Sequence, residues 1–172
     1  MLAPWADHPS GDKPAIYHCI SRVVNREFVL GDEEKAQFLE FMLNYAAFSG
    51  VHVLTYGLMS NHFHLLLEVP PKAQLHLSDA ELFERLRYIY DEDAMLLLNE
   101  EFARFEDGMK KVHENWKSYS SEAEAVKALA YHEAEKEAFR QRFLKRMHDL
   151  SFFMKALKQR FTQWFCKKGP VP

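Results

Sequence analysis

Between Gly50 and Pro71 the chain has one local solution. "VHVLTYGLM" is rich in β-branched and aromatic residues, Ser60-Asn61 breaks it, and "HFHLLLEV" runs on until Pro70-Pro71. Such runs on either side of a two-residue polar break read as the strands of a hairpin, and the proline pair stops the second strand because proline cannot donate to a ladder. Side chains alternate across a strand, so His62, His64, Leu66 and Glu68 share one face. Phe63, Leu65 and Leu67 take the other, which suits a core. The histidine face is then an open surface or a site. Two imidazoles about 7 Å apart at the backbone can converge on one metal ion, with room for a third ligand and a substrate oxygen. Two histidines on a strand also occur simply as half-exposed polar residues.

The segments before the hairpin complete a unit. "AIYHCISRVV" (Ala15–Val24) reads as a strand, with a turn near Asn25. Gly31-Asp32 opens a helix, with Asp32 as the expected N-cap and Glu33 and Glu34 favoured by the helix dipole. Phe38, Phe41, Met42, Tyr45 and Phe48 recur at helical spacing, and Gly50 suits a C-cap. Strand, helix, strand, strand predicts an α+β fold: a ferredoxin-like antiparallel sheet, incomplete, with a helix on one face.

Beyond Lys72 no strand signal is left. The pattern is helical from Ser78 to Gly108 and again from Ser121, with capping boxes at Ser78/Glu81 and Ser121/Glu124. The expected organisation is a flexible arm over 1–14, the sheet-bearing core over 15–71, an acidic helical insert over 72–149 and a basic C-terminal helix over 150–172. Charge follows that division. From Phe139 to the end the net charge is +8, against −11 for the rest. A basic helix on an acidic body is a candidate polyanion surface, or else a solvated face paired with the acidic segment. No apolar run reaches the roughly 18 residues of a membrane span. The polar N-terminus lacks a signal pattern, so a cytoplasmic protein with no membrane partner is expected. Cys19 and Cys166 have neither metal-ligand nor redox spacing and read as reduced thiols.

"MSNHFHLLLEVP" resembles the signature of the HUH single-tyrosine transposases, in which a hydrophobic residue separates two metal-binding histidines ahead of an apolar strand. "YHCISRVVNREFVLGDEEKAQFLEFM" followed by "GVHVLTYGLM" is similar to the start of the REP-associated tyrosine transposases. There a strand with Tyr-His and a following Arg precedes the helix. "FMKALKQRFTQWF" resembles that family's basic helix. The resemblance implies a DNA transposase of a mobile element that acts on single-stranded or hairpin DNA through a tyrosine nucleophile. It implies Mg²⁺ or Mn²⁺ on His62 and His64; Glu68, which shares their face, is a candidate third ligand by its position on the strand. DNA contacts would fall to Arg22, Lys155, Lys158 and Arg160; His18 also matches a recurrent family position. None of the seven tyrosines stands in the family's context, so the resemblance leaves the nucleophile unassigned. The ending "QWFCKKGPVP" reads as an element cut short, and a missing edge strand predicts dimerisation or marginal stability. The alternatives are a non-catalytic nucleic-acid-binding remnant and an unrelated metal-dependent hydrolase.

Overall fold

The computed structural model describes residues 13–22 and 30–168. The expected arm up to residue 12, the turn near Asn25 and residues 169–172 lie outside that range.

Strand β1 (Ala15–Arg22), helix α1 (Asp32–Ser49), strand β2 (His52–Leu58) and strand β3 (His62–Val69) follow one another in the chain. In space the order is β1-β3-β2, with β3 antiparallel to both neighbours. β1 and β2 therefore run parallel, and α1 carries the chain between the two edges of the sheet. That is a split βαβ unit, the first part of a ferredoxin-like arrangement. The fold is α+β, as the sequence predicts. The hairpin closes where expected: Met59 N–H donates to the His62 carbonyl at 2.9 Å, leaving Ser60-Asn61 as the turn. One irregularity enters β2, where the register slips between Val53 and Thr55 and leaves Leu54 as the bulged residue.

The ends of α1 show which local signals prevail. The N-cap is Gly31, one residue earlier than the Asp32 expected. Glu34 makes the difference: its carboxylate reaches back and accepts from Gly31 N–H at 3.0 Å. A carboxylate at the third helical position thus satisfies the orphan donor that a capping side chain would otherwise leave. At the other end Gly50 has φ 71°, as a left-handed C-cap requires. A Cβ there would also lie 2.8 Å from Arg85 Nη1 and from His148 Nε2, so this position needs glycine for space as well as for conformation.

Among the described residues four more α-helices follow: α2 (Asp79–Leu86), α3 (Glu92–Glu114), α4 (Glu122–Leu144) and α5 (Leu150–Lys168). The pattern read as helical from Ser78 to Gly108 is in fact two helices. Asp91 starts α3 by accepting from Ala94 N–H at 2.9 Å, and α3 runs on through Gly108. Gly108 lets α4 approach closely, since a Cβ there would sit 2.6 Å from the His132 ring.

Two cores result. In the first, Phe63, Leu65, Leu67 and Val69 of β3 meet Phe38 and Met42 of α1 and Phe153 and Leu157 of α5. In the second, Leu82, Leu86, Phe102, Phe139 and Phe143 of α2–α4 gather around Phe48 of α1. Both α1 and α5 cover the Phe63–Leu65–Leu67 side of the sheet. The opposite face, carrying His62 and His64, has none of these buried residues.

Candidate metal and DNA site

Alternation builds the site. Along β3, Phe63, Leu65, Leu67 and Val69 are buried, while His62, His64, Leu66 and Glu68 are only half-buried. Register then adds neighbours from the edge strands. On β1, Arg22 stands opposite His62 and Ile20 opposite His64. On β2, Gly57 stands opposite His64, and a Cβ at Gly57 would meet nothing within 4 Å. The floor beside His64 is thus open on the β2 side. Glycine within a strand often marks such a place of close approach.

The rings are held from behind. His62 Nδ1–H donates to Asn61 Oδ1 at 2.7 Å, which leaves Nε2 with the lone pair. His64 is bonded through Nδ1 to His18 Nε2 at 2.9 Å, and the His18 and His64 rings stack at 5.1 Å. The His62 and His64 ring centroids are 5.3 Å apart, edge to face. Partial desolvation, and then the positive neighbours His18, His62 and Arg22, hold His64 below the usual histidine range. At neutral pH its ring is uncharged, the form that can ligate a metal.

Glu68 is placed elsewhere. It pairs with His52 across the β2–β3 register, at 2.8 Å to His52 Nδ1. Four residues along the strand from His64, it is roughly 13 Å away at the backbone. Among the described residues, no three His, Cys, Asp or Glu side chains are grouped so as to hold a metal ion. The histidine pair therefore fits a divalent ion as two ligands only.

The tyrosines of the sheet unit sit away from this face. Tyr17 and Tyr45 pack against the first core, and Tyr56 is in register with buried Leu65. Tyr90 accepts from Arg146 at 3.1 Å, Tyr131 donates to Glu135 at 2.7 Å, and Tyr119 lines a cavity with His132. Tyr88 is exposed in the link after α2.

Residues 13–80 match the family model described as "Transposase IS200 like". This segment is similar to the IS200-like transposases. It contains the whole sheet, α1 and the histidine pair. No curated protein and no solved structure matches the chain.

Beyond the IS200-like segment, α5 carries the other predicted contacts. Lys155, Lys158 and Arg160 are exposed, and none forms an ion pair with a described residue. Lys155 and Arg160 line a cavity of about 310 Å³ together with Arg146, Gln159 and Gln163. Other cations of the basic tail are neutralised internally. Lys168 pairs with Glu33 and Glu34 of α1, Arg140 with Asp79, and Arg142 with Glu101. No helix is long and apolar enough to cross a membrane among the described residues.

Sequence reasoning missed the His18–His64 contact, the tether from Asn61 and the His52–Glu68 pair. A signal for the first existed in the parity of β1. Ile16, His18, Ile20 and Arg22 alternate with buried Cys19, so His18 and Arg22 share a face. Their partner on β3 was not visible in the sequence.

Proposed function

We propose that this chain acts in transposition by binding single-stranded or hairpin DNA over the histidine face, with a divalent metal, Mg²⁺ or Mn²⁺, held by His62 and His64. The observation that carries the reading is the pair itself. Two imidazoles, both engaged through Nδ1, stand on the open face of the central strand inside the IS200-like segment. A divalent ion bound there supplies Lewis-acid polarisation of a phosphate oxygen. The chain's own residues do the rest. Arg22 offers a planar donor fork to the same phosphate. The open floor at Gly57 admits the backbone. Lys155, Lys158 and Arg160 take phosphates on the α5 side, adding affinity without reading bases.

A second reading is favoured by the tyrosines. Tyr17 and Tyr45 pack against the first core and Tyr56 is in register with Leu65, so the sheet unit offers no tyrosine to the histidine face, and the chain binds and holds DNA without supplying the nucleophile from that unit. One experiment separates the two. The protein is incubated with a hairpin oligonucleotide and Mn²⁺, and protein–DNA adducts are resolved under denaturing conditions. An adduct lost in both His62→Ala and His64→Ala establishes the cleaving reading. DNA binding without adduct, with Mn²⁺ affinity lost in both variants, establishes the binding one. Mn²⁺ titrations unchanged in both variants remove the site.

A further inference from the structure

We infer that His18 is a positioning residue for the histidine pair: it accepts a hydrogen bond from His64 Nδ1–H and thereby leaves Nε2 of His64 as the nitrogen that faces a metal. The inference rests on the metal-binding reading above and adds a residue to it.

A neutral imidazole has one donor and one acceptor nitrogen, and the bond made by one fixes the role of the other. Asn61 settles the matter for His62. Its carbonyl oxygen can only accept, so Nδ1 carries the hydrogen and Nε2 the lone pair. For His64 the partner is another imidazole, which can do either. If His18 donated, His64 would present an N–H outward and the pair would offer one lone pair instead of two. If His18 accepts, both rings of the pair are tethered through Nδ1 and both present Nε2. His18 then carries its own hydrogen on Nδ1, and its exposed position lets water take it. Metal binding selects this second arrangement, because ligands donate lone pairs. Histidines that ligate metals commonly give their other N–H to a protein acceptor, and losing that acceptor costs roughly 10–100-fold in metal affinity.

The geometry supports a rigid relay. The His18 ring stacks on His64 with an interplanar angle of 27°, and the two residues lie 46 apart in sequence on adjacent strands. The ladder between β1 and β3 holds both backbones from Ala15 to Arg22. His18 can therefore fix the His64 ring without itself touching the metal.

The test uses the full chain, three variants and two readouts. Mn²⁺ titration gives the affinity, and nitrogen-15 NMR of the metal-free imidazoles gives the tautomer of His64. His18→Leu removes the acceptor. It should weaken Mn²⁺ binding roughly 10–100-fold and shift the His64 hydrogen toward Nε2. His18→Gln places an amide oxygen near the position of the lost Nε2 and should restore both. The exposed position of His18 keeps both variants folded, checked by circular dichroism. An unchanged Mn²⁺ affinity in His18→Leu, alongside loss in His62→Ala, overturns the inference and leaves the metal site standing. A loss that His18→Gln does not restore, with the His64 tautomer unmoved, reduces His18 to a packing residue and also overturns it. A wild-type protein that binds no Mn²⁺ overturns the metal site and the inference with it.

Discussion

At the scale of the residue, two positions have consequences that point in opposite directions. Gly57 sits in β2 beside His64 with open space where its side chain would be. Glycine in a strand costs roughly 0.5–1 kcal/mol relative to alanine, so filling the space should stabilise the fold. The same side chain would occupy the floor on which a phosphate is proposed to rest. Gly57→Leu should therefore raise the urea midpoint and weaken hairpin-DNA binding roughly tenfold, the loss of a contact worth about 1.4 kcal/mol. A midpoint that rises with DNA affinity unchanged would place the DNA elsewhere. His148 is the second position. It is buried, has φ 47°, donates from Nδ1 to the Pro71 carbonyl at 3.0 Å and pairs with no acid among the described residues. Burial, and then the charges of Arg85, His52 and Lys72, depress its pKa, against the pull of the Pro71 carbonyl. A histidine with a depressed folded pKa takes up its proton in the unfolded chain first. Stability contributed by neutral His148 is thus present above about pH 6.5 and is lost as the pH falls from there through the folded value. His148→Asn keeps a donor and tolerates the left-handed backbone. Its denaturation midpoint should fall less between pH 7 and pH 5 than that of the wild type.

At the scale of the element, α5 does two separable jobs. One side buries Leu150, Phe153 and Leu157 in the first core; the other presents Lys155, Lys158 and Arg160. Leu157→Ala should cost roughly 2–5 kcal/mol in chemical denaturation, as a cavity in a packed core does. Replacing all three cations with glutamine should leave stability within about 0.5 kcal/mol. It should flatten the salt dependence of single-strand binding by about 2 in log–log slope, since each phosphate contact contributes roughly 0.7. Because α5 covers the face of the sheet opposite the histidines, Mn²⁺ affinity should not change in that triple variant. A salt slope that stays constant would make these cations a solvated face. The amphipathic pattern of α5 was legible because it is periodic within nineteen residues. Which cations remained unpaired was not, since Lys168 meets Glu33 and Glu34 more than 130 positions away.

At the scale of the molecule, the two cores share a helix. Phe48 belongs to α1, which lines the first core, yet it is fully buried within the second. Tyr45 of α1 touches both. Helices α2–α4 are therefore anchored to the sheet unit through side chains that α1 already holds in place. Phe48→Ala should cost roughly 3–5 kcal/mol, and amide exchange should accelerate together in β3 and α3. Acceleration confined to α2–α4 would mean that the insert unfolds on its own.

The division between what was readable and what was not follows the range of the forces. Alternation on β3, the glycine end of α1 and the Ser78 and Ser121 caps depend on covalent geometry and on groups within four residues, so the linear order contains them. The sequence alone therefore determined the hairpin, the α+β class and the shared face of His62 and His64. The order β1-β3-β2 is different, because it depends on burying Phe63, Leu65 and Leu67 beneath α1 and α5 at once. That order sets His18 on His64, Glu68 on His52 and the exposed cations of α5 behind the sheet. Only the tertiary structure could decide these, because contacts between distant segments are chosen by the packing of the whole core and not by the residues that happen to meet.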